Sequence, residues 1–469
     1  MIFSSLIFLF LFFPVTLICY YLANSKYKNV VLLLASIAFY AWGEPKYIFL
    51  MMLSIIVNYI FGIKVSDSKD KKIWVVLSVI YNISILGIFK YSNFFVDNIN
   101  FLLNTNITIP EIKLPLGISF FTFQIMSYVI DVYRNDAKVQ RKLTNLALYI
   151  SLFPQLVAGP IVRYQTVADA IEHREHNWYK FTQGVNRFVI GLGKKVILAN
   201  QLGIIADDVF NKSSGDLSRL DVWLGVVCYT LQIFYDFSGY SDMAIGLGKI
   251  FGFNFLENFN YPYISQTVSE FWRRWHISLS TWFKDYVYFP LGGNRVSRLK
   301  LYRNLFIVWF LTGMWHGANW TFIIWGLYFG ILISIEKVFL ERLLYKMPRI
   351  IRHMYLLFIV MIGWVFFRAE DLPKAIKFIG IMFGSGNYPL VSNAFNVFII
   401  EYWYIIVGAI ILSTPIVEVI KSLVVKKKKN TLNSTMCQVT NAAFIVVCMF
   451  IVMVMLSSST YNPFLYFRF

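Results

Sequence analysis

Uncharged, apolar stretches recur along most of the chain, and many are long enough to cross a hydrocarbon layer of about 30 Å. A lipid-exposed backbone must satisfy its hydrogen bonds within the segment, so such stretches predict α-helices. The clear ones are 2–21, 30–42 with 47–63, 73–89, 116–133, 143–158, 304–335, 355–367, 395–417 and 442–456, of which 116–133 and 395–417 each include one acidic residue. Two more, 181–198 and 222–251, carry a few charges. We predict an all-α, polytopic membrane protein with roughly ten to twelve transmembrane helices.

The uncharged run 304–335 is too long for a single span. Glycines interrupt it at Gly313 and Gly317. We therefore expect either two helices that meet at this break, or one span followed by a re-entrant piece.

Composition excludes a soluble protein. Only 14% of the residues are charged and 58% are apolar, whereas about 25% of an ordinary globular protein is charged. The net charge of +18 would suit a nucleic-acid-binding protein, but here the excess basic residues decorate a mostly apolar chain. We expect no nucleic-acid partner.

The basic residues are unevenly distributed, and their distribution predicts orientation. About half of the 43 Lys and Arg residues lie in five short segments, 64–72, 134–142, 295–303, 342–352 and 421–429. With the N-terminus outside, alternation of the spans puts the first two segments inside, as the positive-inside rule requires. The first charges, at Lys26 and Lys28, follow the first apolar stretch, which argues for a retained span. Basic residues also attract anionic headgroups, so membrane lipid is an expected partner.

Motifs of soluble enzymes and metal sites are absent from the sequence. It contains no GxSxG elbow, P-loop or HExxH motif. His173 and His176 are three apart, as in some metal pairs, but their segment is polar and we interpret it as a solvated loop. The four cysteines lack CxxC spacing and are interpreted as buried hydrophobes: Cys19, Cys228, Cys437 and Cys448. We expect no metal and no tightly bound cofactor.

Polar residues in apolar segments are costly and therefore mark function or burial against protein. The densest set lies between Gln232 and Trp320, where we expect short amphipathic helices at the interface or lining a cavity. His316 is the first catalytic candidate, since no other group in 304–335 titrates near neutral pH. Burial favours a neutral imidazole, which can take a proton from a hydroxyl. The alternative is a core histidine hydrogen-bonded to a neighbouring helix.

His276 is the second candidate, and it closely follows Arg273 and Arg274. On a helix, Arg273 and His276 would share a face. The functional interpretation makes His276 catalytic or substrate-orienting, with an arginine binding phosphate or a charged carrier. The alternative is that these side chains extend to the lipid headgroups.

Two carboxylates, Asp236 and Asp242, lie in the apolar stretch 222–251. They are six residues apart and do not share a helical face, so they do not form a paired acid/base site. We expect hydrogen-bonding roles for both, with Asp236 a candidate for orienting a histidine.

Several long motifs follow one another between about residues 110 and 330. They are LPLGISFFTFQ (114–124), YVIDVYR (128–134), FPQLVAGP (153–160), YDFSGYSD (235–242), FWRRWHISLSTW (271–282), DYVYFPLGGNR (285–295) and MWHGANW (314–320). In this order they resemble the membrane-bound O-acyltransferases (MBOAT). The similarity is greatest to the bacterial branch that O-acetylates polysaccharides, including alginate and peptidoglycan. Because several long motifs coincide, the resemblance is specific.

The resemblance implies helices around a central tunnel, which an activated acyl group enters from the cytoplasm and the acceptor from outside. It implies one integral membrane domain over residues 1–469, with a catalytic core at 110–330, in the cytoplasmic membrane of a bacterium. In that family the histidine of the Trp-His-Gly motif is regarded as catalytic, which carries over to His316. The Arg-Arg-Trp-His motif supplies a second important position, His276.

The implied reaction is acetyl transfer from acetyl-CoA or another acyl thioester to a hydroxyl of an extracytoplasmic polysaccharide, an alginate-like exopolysaccharide or a cell-wall polymer. Transfer would be direct or would pass through an extracytoplasmic acetyltransferase partner of the SGNH type. Neutral His316 would deprotonate the attacking hydroxyl, and Asn319, Trp315 and His276 are candidate oxyanion donors. The expected substrate-binding residues are Arg273, Arg274, Asn319, Trp315 and Asp236.

Two other functions remain open at this stage. D-alanyl transfer to teichoic acid uses a related fold, although the Pro290–Arg295 and Leu114–Phe120 phrases look more like the acetylating branch. A multi-span transporter or flippase would use His316, Arg273 and Asp236 as a polar path, and it predicts broken helices in two related halves. The sequence contains one polar cluster, not a matched pair.

Overall fold

A computed structural model describes residues 1–110, 112–157, 159–427, 432–458 and 461–463. The chain is 77% helical, and no strand occurs among the described residues. Seven helices of the described chain are long and apolar enough to cross a membrane: Ile48–Asp67, Lys71–Leu103, Trp178–Asn211, Trp320–Tyr345, Arg349–Arg368, Asn393–Leu412 and Val439–Ser458. A shorter apolar helix covers Phe8–Leu22. The prediction of an all-α, polytopic membrane protein is confirmed.

The chain divides into two compact units. The first comprises Met1–Phe188 and Tyr240–Leu256. Its helices are α1 (Phe13–Leu22), α2 (Lys28–Gly43), α3 (Ile48–Asp67), α4 (Lys71–Leu103), α5 (Ile118–Arg134), α6 (Leu143–Ser151), α7 (Phe153–Leu156), α8 (Tyr164–Glu172) and the first part of α9 (Trp178–Gly193). The last residues of α11, defined below, also belong to this unit.

The second unit comprises Val189–Gly239 and Glu257–Phe469. Its helices are α10 (Asn200–Asn211), most of α11 (Arg219–Ile250), α12 (Val268–Arg274), α13 (Ile277–Phe283), α14 (Arg298–His316), α15 (Trp320–Ile335), α16 (Glu341–Tyr345), α17 (Arg349–Arg368), α18 (Leu372–Met382), α19 (Asn393–Leu412), α20 (Ile416–Lys427) and α21 (Leu432–Ser458). Short π-helical segments extend several of these helices, at Lys194–Ala199, Lys284–Tyr288 and Glu336–Leu340.

In the described part of the chain, seven helices are long and apolar enough to span a membrane, which is fewer than the ten to twelve crossings that we expected. The stretch 116–133 forms α5, which is buried along most of its length. The stretch 143–158 forms two short helices: α6, which is buried from Asn145 to Ser151, and α7, which is buried throughout. Hydropathy reports a preference for apolar surroundings, and the interior of a protein satisfies that preference as well as lipid does.

Aromatic packing and one polar cluster hold the first unit together. The ring of Phe3 stacks on Tyr240 with centroids 4.6 Å apart and also contacts Phe39. Between α3 and α4, the amide of Asn82 donates to Oδ1 of Asn58 at 2.8 Å. A buried amide pair of this kind fixes the register of two apolar helices, because sliding would leave polar groups unsatisfied in an apolar environment.

In the second unit, α14 and α15 form the expected pair of helices, and the break lies at Gly317–Asn319. A Cβ at Gly313 would lie 2.5 Å from the carbonyl oxygen of Phe322, so glycine allows the two backbones to approach closely. Gly313 itself lies inside α14. The interpretation as two helices is confirmed, and the break is at the second of the two predicted glycines.

Candidate active site

His316 is the last residue of α14 and is 6% exposed. Three aromatic rings surround its imidazole at steep angles, with centroids 4.9 Å away at Trp315, 4.9 Å at Trp325 and 5.0 Å at Phe367. These edge-to-face contacts restrict rotation of the ring. The helix ends here because Gly317 is fully extended, with φ −171° and ψ 156°.

Glycine is required at position 317 because a side chain would have no room there, and not because of the backbone conformation. A Cβ at this position would overlap the ring of Phe322, which itself packs on Phe367 at 5.1 Å. The close approach holds the chain immediately after His316 against α15. A side chain here would displace one of the rings that packs around the imidazole.

His276 lies between α12 and α13 and is 1% exposed. Its backbone is left-handed, with φ 45° and ψ 54°, which a non-glycine residue adopts only at a cost. The helix α12 has already ended at Arg274, because Trp275 is extended, with φ −105° and ψ 129°. This break corrects one prediction. Arg273 and His276 do not share a helical face, because the helix breaks between them: the Arg273 side chain is exposed, whereas the imidazole is buried.

Asn258 determines the tautomer of His276. Oδ1 of Asn258 accepts a hydrogen bond from the backbone N–H of Ser278 at 3.1 Å and another from the Ser278 hydroxyl at 2.9 Å. Because a backbone N–H can only donate, this atom is an acceptor, and Nδ1 of His276, 3.2 Å away, must donate to it. Nε2 then carries the lone pair, and no described residue hydrogen-bonds it.

The His276 imidazole is uncharged in this environment. Burial lowers the pKa of His276 to about 3, because a charged ring would lose its hydration. Phe237 contacts the ring edge-to-face at 4.5 Å. His276 therefore presents a neutral hydrogen-bond acceptor, and oxyanion stabilisation, one of the roles we considered for it, must come from other donors.

Trp315 connects the two histidines. Its indole ring lies 5.9 Å from the His276 imidazole and 4.9 Å from that of His316, centroid to centroid. It also carries an N–H donor. The structure therefore brings together three of the residues predicted from the sequence, and they come from two motifs about forty residues apart along the chain.

The other predicted substrate-binding residues have local partners. The Asn319 side chain caps α15 by accepting from the N–H of Thr321 at 2.9 Å, and it donates to the Glu370 carbonyl at 2.9 Å. Arg274 pairs with Glu270 at 3.0 Å. These contacts stabilise the backbone that surrounds the histidines.

The two carboxylates of α11 have separate cationic partners. Asp236 forms an ion pair with Lys195 at 2.5 Å, both side chains being almost fully buried. In the first unit, Asp242 pairs with Arg187 at 2.6 Å. The ion pair that the structure gives Asp236 is thus with a lysine.

Arg273 lines a cavity of about 820 Å³ that sequence reasoning did not identify. Every charged residue lining this cavity is basic; the others are Lys284, Arg295 and Lys337. Tyr288, Phe289 and the turn Gly292–Asn294 complete the lining. Sequence reasoning also missed Asn258. The only sequence feature that pointed to the cavity and to Asn258 was the high density of polar residues between 257 and 295. This density indicates that polar side chains contact one another, but it does not identify which ones do.

No group of three or more His, Cys, Asp or Glu side chains in the described part of the chain is arranged to hold a metal ion. Cys228 and Cys448 are buried and Cys19 is exposed. The side chain of Cys437 lies outside the described residues.

Comparison with known proteins identifies the family. The sequence model of the membrane-bound O-acyltransferase family matches residues 137–369. A protein of Azotobacter vinelandii named "Probable alginate O-acetylase AlgI" is 45% identical over 398 residues, which cover 83% of this chain and 79% of that protein. The chain belongs to the MBOAT family. The match contains both histidine motifs, and the protein is an O-acyltransferase.

Two further relatives of this acyltransferase differ in their extent. The peptidoglycan O-acetyltransferase of Helicobacter pylori is 37% identical over 83% of this chain and 81% of its own length. The teichoic acid D-alanyltransferase of Bacillus subtilis is 31% identical over only 48% of this chain and 59% of its own. Membership of an acyltransferase family removes the support for a transporter or flippase.

Proposed function

We propose that this acyltransferase moves an acetyl group from an acyl thioester that arrives on the cytoplasmic side to a hydroxyl of an extracytoplasmic polysaccharide. The observation that carries the proposal is that two buried imidazoles both lie close to Trp315. Two buried imidazoles beside an indole donor match the requirements of acyl transfer, which must remove a hydroxyl proton and stabilise an oxyanion.

In the proposed reaction, His316 takes the proton of the acceptor hydroxyl as its oxygen bonds to the thioester carbonyl carbon. The tetrahedral oxyanion then collapses, the carbon–sulfur bond breaks, and the imidazolium returns the proton to the departing thiolate. His276 accepts a hydrogen bond at Nε2 and thereby orients a substrate donor, and the Trp315 N–H is an oxyanion donor. General-base catalysis supplies about 10²- to 10⁴-fold, and positioning two substrates contributes more.

The cavity beside Arg273 is a candidate site for the carrier part of the donor. Coenzyme A and phosphopantetheine carriers both bear phosphates, and guanidinium groups bind phosphate with charge-assisted hydrogen bonds. Four basic groups without a lining carboxylate create the positive potential that an anionic donor needs. Acetyl-CoA is the donor we propose.

The relatives support a polysaccharide acceptor. Those matched over most of their length are named for acetylating alginate or peptidoglycan, whereas the D-alanyl relative is matched over about half of this chain. We propose an alginate-like exopolysaccharide or a cell-wall polymer as acceptor, reached directly or through an SGNH-type acetyltransferase outside the membrane. The protein would lie in a bacterial cytoplasmic membrane with its N-terminus outside, consistent with the basic loops.

Substitution of His316 tests the proposed function. We expect His316→Ala to abolish acetyl esters on the cell's extracellular polymers, measured by mass spectrometry, while the protein remains in the membrane at its normal level. His173→Ala is the matched control, because His173 is exposed. Wild-type acetylation by a His316→Ala protein would refute the assignment. Transfer of labelled acetyl groups by the purified wild-type protein to polysaccharide alone, compared with the same reaction plus the partner, separates the two routes.

The donor site has its own test. Arg295→Gln should raise KM for acetyl-CoA by about five- to tenfold, since one charge near a phosphate contributes on the order of 1 kcal/mol, with a smaller change in kcat. Lys300→Gln removes an exposed charge outside the cavity lining and should leave KM unchanged. Equal KM values for the two variants would contradict binding of the donor phosphates in this cavity.

A further inference from the structure

A cluster of basic side chains surrounds Tyr20 in the first unit, at the end of α1. The Lys28 ammonium lies 5.1 Å from the centroid of the Tyr20 ring, and the Arg174 guanidinium lies 5.8 Å from it. Nη1 of Arg174 donates to the Tyr20 hydroxyl at 3.2 Å. Nε2 of His176 is 2.8 Å from the same hydroxyl. We call these four residues the Tyr20 cluster.

The positive charge of the Tyr20 cluster is not neutralised by the described residues. No described carboxylate forms an ion pair with Lys28, Arg174 or His176, and the adjacent Glu175 pairs instead with Lys180 at 3.2 Å. Arg174 lies over the ring of Phe253 at 4.8 Å. Two cations held together without an anion repel one another, and their burial makes this repulsion stronger than it would be in water.

The pKa values of the cluster residues reflect the same excess of positive charge. Burial lowers the pKa of His176, and the positive charges of Lys28 and Arg174 lower it further. Burial also lowers the pKa of Arg174. His176 is partly buried and hydrogen-bonded, so our interpretation of its segment as a solvated loop is wrong for this residue.

The surface around the cluster has the composition of a membrane interface. Large apolar and aromatic side chains are exposed there, with exposed fractions of 41% at Tyr21, 81% at Leu22, 77% at Trp178 and 70% at Tyr179. Tyrosine and tryptophan concentrate at the headgroup level of membranes. The cluster lies at the end of the apolar helix Phe8–Leu22, and the sequence predicts that the stretch 2–21 spans the membrane, which would put the cluster at the headgroup level.

We propose that the Tyr20 cluster binds the phosphate of an anionic phospholipid headgroup. Lys28 and Arg174 supply the charge and the N–H donors to the phosphate oxygens. The buried Tyr20 hydroxyl, which bonds to Arg174 and His176, positions the guanidinium. The exposed Leu22 and Trp178 side chains lie beside the glycerol and upper acyl chains, which a free phosphate lacks. This site is independent of the proposed acyl transfer.

Lipid binding to the purified, delipidated protein in neutral detergent tests the proposal. Native mass spectrometry would measure binding of phosphatidylglycerol, with phosphatidylcholine and inorganic phosphate as separate ligands. We expect Lys28→Gln and Arg174→Gln each to weaken phosphatidylglycerol binding about fivefold, and the double variant about 30-fold. Lys26→Gln is the matched control, because Lys26 lies over Tyr27 at 5.8 Å rather than over Tyr20.

Each ligand has an outcome that would overturn the proposal. Equal binding of phosphatidylcholine would show that the net negative charge of the headgroup plays no part in binding. Competition by inorganic phosphate at equal concentration would show that the site binds phosphate itself and not the lipid. Unchanged phosphatidylglycerol affinity in Lys28→Gln would exclude the cluster as the site. If Arg174→Gln does not fold, Lys28→Gln compared with Lys26→Gln decides the question alone.

Discussion

The neutral, buried state of His276 predicts how the stability of the protein depends on pH. The unfolded imidazole has a pKa of about 6.5, whereas burial lowers the pKa of His276 to about 3 in the folded protein. On acidification the unfolded chain therefore binds a proton that the folded protein does not, and this favours unfolding. The contribution of His276 is fully present above pH 6.5 and is lost as the pH falls towards 3.

The size of the effect follows from the two pKa values. Between pH 7.5 and 5 the unfolded imidazole becomes almost fully protonated and the folded one does not, which costs about 2 kcal/mol of folding free energy. The neutral side chain of His276→Gln removes this titration. The variant should therefore lose about 2 kcal/mol less than the wild type over the same pH interval, whatever its absolute stability at pH 7.5.

Denaturant titration of the protein in neutral mixed micelles at pH 7.5, 6.25 and 5 measures this difference. His173→Gln is the control, because His173 is exposed and should retain the wild-type dependence. Parallel stability curves for wild type and His276→Gln would show that His276 is solvated or paired with an anion. That result would refute both the buried site and the tautomer assigned to it.

Two further predictions concern packing and charge in the second unit. Gly313→Ala should lower the unfolding temperature and the activity, because its Cβ would meet the backbone of α15. The control Gly408→Ala should be neutral, because its Cβ would meet nothing within 4 Å. Thermal unfolding and acetyl-transfer rates measure the effect of both variants. Asp236→Asn should destabilise the protein by about 3–5 kcal/mol by leaving the charge of Lys195 buried without its anionic partner. Equal stability of Asp236→Asn and wild type in a denaturant titration would contradict a buried ion pair, and the additional change Lys195→Met should recover part of the loss.

The helical part of the architecture was accessible from the sequence because apolar length alone specifies it. A break in the run 304–335 was predicted, since 32 uncharged residues exceed one span and glycine marks the break, and two helices were one of the two alternatives. The number of spans was not accessible in the same way. Stretches such as 116–133 are as apolar as a span, yet α5 is buried in protein.

The candidate site was partly accessible. His316 stood out because a titratable group in an uncharged run needs an explanation, and the structure encloses it in aromatic rings. The relation of Arg273 to His276 was wrong because a helical repeat was assumed through a residue that has φ +45°. Nothing in the local pattern around residue 276 predicts that left-handed conformation.

The sequence by itself determined that the chain is helical, that it crosses a membrane, and that His276 and His316 are its chemical candidates. These properties depend on side-chain polarity counted along the chain. Only the tertiary structure decided that Asn258 sets the tautomer of His276, that Trp315 lies against both imidazoles, and that Asp236 pairs with Lys195. Hydrogen bonds and ion pairs act over about 3 Å, and they join residues whose proximity arises only when the helices pack.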